Sequence, residues 1–294
     1  MDPSSRISPT VTAALWMVGA LLSFMMMAIG GRELAGQLTT FQILFFRSLI
    51  GLVVISAVLW RAGWHHIKTE KLGLHLLRNI AHYGGQYGWF YGLGFIPLAE
   101  VFAIEFTLPV WVAILAVLIL GEKLTRPRII AIVLGLIGLL LILRPGMQVV
   151  QPAALAVLAA AVGYAFSHVL TKKITNTDSA LSVVFYMTLI QLPFGLLPSL
   201  FTWQTPQGAM WLWLVVVGVG ALTAHYCMSQ ALKLADATVV VPMDFLRLPL
   251  IALVGVIFYS EALDWLVLVG GGVMLAGNWW NIWAEQRRRR GQAV

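Results

Sequence analysis

Runs of apolar residues about twenty long follow one another down the chain, broken only by short polar connections. Each is long enough to cross roughly 30 Å of hydrocarbon as an α-helix. Ten are read: 10–30, 40–60, 72–94, 98–120, 127–143, 152–171, 180–201, 209–232, 237–259 and 263–283. Their apolar residues are continuous rather than alternating, and each run is about twice the length of a barrel strand. The pattern predicts an all-α integral membrane protein of ten transmembrane helices, with connections too short for a soluble domain.

The polar positions inside these runs carry more information than the apolar ones. In "HLLRNIAHYGGQYGWFYGLG" (75–94), His75, Asn79, His82 and Gln86 are spaced four, three and four apart and share one helix face, which lipid cannot be facing. Such a stripe either hydrogen-bonds another helix or lines a cavity. Gly84, Gly88 and Gly92 form a second stripe predicted to let a neighbouring helix approach. Tyr83, Tyr87 and Tyr91 place rings beside it. In "VVVPMDFLRLPLIAL" (239–253), Asp244 and Arg247 fall near the membrane midplane, where a charge costs a few kcal/mol or more. Three residues apart, they either pair with each other or leave Arg247 to meet a substrate carboxylate while Asp244 holds the guanidinium or exchanges a proton. Pro242 and Pro249 weaken the helix on either side, as a bent element lining a cavity requires. Glu105 reaches a similar depth in the fourth run, with Arg47 as the nearest cation to neutralise it, so Glu105 and Asp244 are the candidates for proton coupling.

Composition agrees with a membrane protein: of 294 residues 60% are hydrophobic and only 11% charged, where a soluble domain carries about 25%. The net charge of +7 raises the question of nucleic acid, and its placement answers it. The side holding the N-terminus, the even-numbered connections and the C-terminus carries 14 of the 19 basic residues, from Arg6 to the run Arg287–Arg290. This positive-inside bias predicts cytoplasmic termini and makes the basic tail, 284–294, a topology anchor at an anionic leaflet. A cleaved signal peptide is disfavoured, because the first run is about 20 residues long with no convincing cleavage site. The single cysteine, Cys227, excludes an intramolecular disulfide and makes a thiolate metal site unlikely. No His-Glu-x-x-His, Gly-x-Ser-x-Gly or P-loop is present, so neither enzyme chemistry nor ATP hydrolysis is expected, and no cofactor or metal is implied.

An offset of 139 or 140 residues aligns the chain with itself. Ala14-Leu15 falls on Ala154-Leu155, Phe24 on Tyr164, Ser48 on Thr188, Tyr87 on Tyr226, Glu105-Phe106 on Asp244-Phe245, and Glu122 on Glu261. A constant offset that twice pairs acid with acid indicates duplication. Five helices per copy is an odd number, so the second copy enters from the opposite side of the membrane. Inverted repeats of this kind surround a midplane site in secondary transporters.

The segment "TLPVWVAILAVLILGEKLTRPRIIAIVLGLIGLLLILRPG" (107–146) resembles the end of an EamA repeat of the drug/metabolite transporter superfamily. It has a proline in the fourth helix, Gly-Glu-x-Leu at that helix's end and a glycine-rich fifth helix. "FLRLPLIALVGVIFYSEALDWLVLVGGGVMLAGNWW" (245–280) repeats the pattern, with Ser260 in place of the glycine. Within the superfamily the chain is most similar to bacterial amino-acid and metabolite exporters of the YddG type. The resemblance implies repeats over 10–143 and 152–283 around a central cavity, in the bacterial cytoplasmic membrane. It also implies export of amino acids and related metabolites; phosphorylated or nucleotide-linked cargo is the alternative, and a non-transporting membrane protein the least favoured. Candidate cavity residues are Trp16, His82, Tyr83, Gln86, Tyr87, Tyr164, His168, His225, Tyr226, Asp244 and Arg247. A zwitterion needs an anion-binding group, here Arg247 or a histidine, and an acceptor or ring for its ammonium.

Overall fold

A computed structural model describes residues 9–121, 125–145, 150–175, 177–234, 243–244 and 246–291. The helices are α1 (Pro9–Leu34), α2 (Thr40–Ala62), α3 (Leu72–Phe95), α4 (Leu98–Glu105), α5 (Leu108–Leu120), α6 (Arg126–Leu143), α7 (Pro152–Ile174), α8 (Ala180–Ser199), α9 (Met210–Leu234), α10 (Arg247–Tyr259) and α11 (Trp265–Gly291). With α4 and α5 forming one broken span, these make ten crossings. Local chemistry fixes several ends. The Thr39 and Ser179 hydroxyls accept from the N–H groups of Gln42 (3.3 Å) and Ser182 (3.1 Å), while Pro109, Pro127 and Pro152 occupy first turns, where no donor is lost.

Seven stretches among the described residues are long and apolar enough to cross a membrane on their own. The others depart for visible reasons: α3 carries the polar stripe, α10 is 13 residues long, and α11 runs on through the basic residues. The tail expected from 284 therefore continues the last helix as far as Gly291, with the Arg287 guanidinium 3.8 Å over the Trp283 ring. The fourth run, expected to be continuous, breaks at Phe106-Thr107.

The halves interlock by exchange. Helix α1 packs along α9 and α3 along α7, which are equivalent contacts when the repeats are swapped. α2 meets α8 and α6 meets α11, each its own repeat partner. Where α3 crosses α7, a Cβ on Gly88 would lie 2.4 Å from the Ala156 carbonyl oxygen, and one on Gly85 would lie 2.9 Å from the Tyr164 ring. The contact thus runs through Gly85, Gly88 and Gly92. Gly84, expected in this stripe, instead faces open space. Its own helix turns it about 100° from Gly85.

The broken helices are the closest repeat match. α5 and α10 are both 13 residues, start 139 positions apart, and end on left-handed residues, Gly121 (φ 68°) and Ser260 (φ 53°). α4 packs against α10, joining the fourth span of the first half to its counterpart in the second.

Candidate functional site

The breaks bring together the charges that the sequence places at the midplane. Arg247, 5% exposed, donates through Nη2 to Asp244 Oδ2 at 2.6 Å and lies 3.8 Å through Nη1 from Glu105 Oε1. Trp89 Nε1 donates to the other Glu105 oxygen at 2.7 Å. The rings of Phe24, Phe106 and Phe102 surround the guanidinium, 4.6, 5.3 and 5.5 Å from their centroids. Two carboxylates and three aromatic faces leave Arg247 fully engaged. The sequence reading assigned Glu105 to Arg47; the structure gives it to Arg247, because the break after Glu105 turns that carboxylate toward the second half.

From this cluster the polar lining continues through Phe24, whose ring meets His225 edge-on at 5.4 Å. His225 on α9 and His168 on α7 are both exposed rather than in packed core. Tyr164 stands beside His82, ring centroids 5.4 Å apart. His82 Nδ1 pairs with Gln191 Nε2 at 3.0 Å, and the same Gln191 nitrogen donates to Asn79 Oδ1 at 3.0 Å. On that pattern Nδ1 is the acceptor and Nε2 carries the proton, a tautomer assigned from the hydrogen bonds.

The α3 stripe therefore divides. His75 and Asn79 are tied into interhelical hydrogen bonds, His75 Nε2 to Asp178 Oδ2 at 2.9 Å and Asn79 Nδ2 to the carbonyls of His75 and Tyr186 at 2.8 and 3.4 Å. Burial pushes the Asp178 carboxyl up, but hydrogen bonds from Thr69, His75 and Thr177 outweigh it and hold it at about 2. Arg78 donates to Thr171 Oγ1 at 3.1 Å and Asn79 Oδ1 at 2.9 Å. Further along α3, Gln86 is buried with its Oε1 unpaired.

The remaining candidates scatter. Tyr83 packs on Phe194 at 5.6 Å and Tyr87 on Phe41 at 4.6 Å, both against the bundle interior. Trp16 and Tyr226 meet each other at 5.8 Å on the α1–α9 surface; Tyr226 is 58% exposed and accepts from Gln230. Tyr226 thus shares an exposed stripe of α9 with Leu212, Val215 and Val219. Sequence reasoning missed Phe24, Trp89, Phe102 and Gln191. Apolar rings give no signal in an apolar run, and Gln191 is identifiable only as a lone amide in α8.

At the end holding the α1–α2 turn, Glu261 gathers several elements. It pairs with Arg32 at 2.8 Å and accepts from the Leu98 N–H at 2.9 Å. Arg32 also donates to the carbonyls of Leu93 and Ile96, satisfying the end of α3. The opposite-end partner of Glu261, Glu122, lies outside the described residues.

Comparisons with known proteins agree with this architecture. The model of the EamA-like transporter family matches twice, over residues 11–144 and 151–283. A riboflavin transporter of Vibrio cholerae is 32% identical over 82% of this chain and 83% of its own length. An S-adenosylmethionine uptake transporter of Rickettsia felis is 26% identical over 94% of both chains, and the pseudopaline exporter CntI of Pseudomonas aeruginosa 27% over 88% and 92%. A solved crystal structure, 19% identical, shares the fold at a TM-score of 0.66, covering 95% of this chain and 98% of that one.

Proposed function

The chain belongs to the EamA-like transporter family, and we propose that it exports small amphipathic metabolites, amino acids first among them, across the bacterial cytoplasmic membrane by alternating access. It is a transporter and not an enzyme. The observation that carries the cargo reading is the lining. His82, Tyr164, His168 and His225 come from both halves, and His168 and His225 are exposed. Rings and imidazoles suit an amphipathic molecule better than a highly charged one. The broken helices supply the pliable elements that alternating access needs.

The test is uptake of radiolabelled amino acids into liposomes holding the purified protein, without and then with an imposed pH gradient, against empty liposomes. Accumulation above the control supports the reading. Dependence on the gradient makes Glu105 and Asp244 the residues to test for coupling. The relatives widen the panel, because S-adenosylmethionine is itself an amino-acid derivative and riboflavin is a planar aromatic compound of another class; uptake of riboflavin alone would remove amino acids from the list. The basic bias supports cytoplasmic termini, for which a C-terminal alkaline phosphatase fusion should be inactive and a green fluorescent protein fusion bright.

A further inference from the structure

Two arginines lie in the heart of this bundle with opposite surroundings. Arg247 is met by two carboxylates and three rings. Arg47, on α2 and 6% exposed, makes no hydrogen bond and no ion pair with any described residue, and its Nε is sealed from solvent without a partner. Arginine cannot shed its proton at any physiological pH, so this charge is not relieved by titration. Inside a membrane protein an unmet guanidinium is held at a cost that only a function or a ligand explains.

The surroundings of Arg47 point to the internal space. Its guanidinium lies within electrostatic reach of His82, His225 and Tyr164, three of the candidate lining residues. Arg78 stands close enough to add to its field while spending its own donors on Thr171 and Asn79. Of the nine buried polar atoms without partners among the described residues, five fall on α2 and α3: Arg47 Nε, Ser48 Oγ, His75 Nδ1, Tyr83 OH and Gln86 Oε1. A polar ligand is what such a set lacks.

We propose that Arg47 holds the anionic group of the cargo and that this group is a carboxylate. The proposal deepens the transporter reading and rests on it. A carboxylate matches one free guanidinium in charge and in bidentate geometry. A phosphate dianion calls for more positive charge than this lining offers, because Arg78 is partly spent and the neighbours are imidazoles and phenols.

The experiment uses probes that do not presuppose amino-acid cargo. Thermal unfolding of the purified protein in detergent is followed with phenylacetate, its neutral isostere phenylacetamide, and phenyl phosphate. Phenylacetate should raise the wild-type Tm and phenylacetamide should not. In Arg47→Gln the phenylacetate affinity should fall about ten- to a hundredfold, the worth of a charge-assisted pair, with partial recovery in Arg47→Lys. Because Arg47 pairs with no described residue, neither variant orphans a described partner, and both should unfold at or above the wild-type temperature when empty. Equal responses to phenylacetate in wild type and Arg47→Gln overturn the proposal, and a tighter response to phenyl phosphate overturns the carboxylate assignment. Failure of amino-acid uptake together with Arg47-dependent phenylacetate binding would instead remove the cargo reading and leave this site standing.

Discussion

Glu105 and Asp244, the same position in the two halves of the chain, converge on one guanidinium, that of Arg247, at 3.8 and 2.6 Å. The contact joins the repeats where α4 ends at Glu105 and α10 begins at Arg247, so it is part of the joint between halves as well as a charge cluster.

Removing the cation alone leaves two buried carboxylates facing each other. Arg247→Gln should lose about 3–5 kcal/mol of stability, read as a fall in Tm by tryptophan fluorescence in detergent. The combination Glu105→Gln, Asp244→Asn, Arg247→Met should recover most of it. An Arg247→Gln protein as stable as wild type would show that the cluster does not hold the halves together.

The depth of Asp244 and Arg247 and their pairing are legible in the sequence, because an i,i+3 spacing and a count along the helix suffice. The partner of Glu105 is not, since it lies 142 residues away and depends on a break that Pro109 signals only loosely. Tyr226 shows a second limit: the repeat alignment places it opposite Tyr87, but which flank of a helix is left exposed is decided by the neighbours it packs against. The Gly84 expectation failed by one residue, which on a helix is enough to change the face.

That one-residue difference is itself testable. Gly88→Ala puts a methyl group 2.4 Å from the Ala156 carbonyl, and a backbone atom cannot step aside, so a loss of about 1–3 kcal/mol is expected. Gly84→Ala meets nothing within 4 Å and gains helix propensity, so its Tm should be unchanged or slightly higher. Reversal of that order would contradict the α3–α7 contact.

Ser260 holds a left-handed conformation, φ 53°, where its repeat partner is Gly121. Ser260→Gly removes the Cβ penalty and should stabilise the protein by about 0.5–1 kcal/mol, with a matching rise in Tm. Ser260→Val should move it the other way.

The Asp178 carboxyl is depressed from 3.8 to about 2. A depressed carboxylate contributes stability above its unfolded value that disappears as pH falls through its folded one. The Tm gap between wild type and Asp178→Asn should therefore be constant from pH 5 to 8 and narrow between about pH 4 and 2. A gap that stays flat into acid would mean His75 and the threonines do not favour the charged form.

Helices α5 and α10, each 13 residues long and each stopped by a left-handed residue, fold alike while pointing in opposite directions through the bilayer. A five-helix unit able to do that carries no internal sense of up and down; its direction is written by lysines and arginines in the connections. Fixing the two directions separately leaves the halves free to differ elsewhere: Arg47 has no counterpart in the second half, where position 187 is methionine.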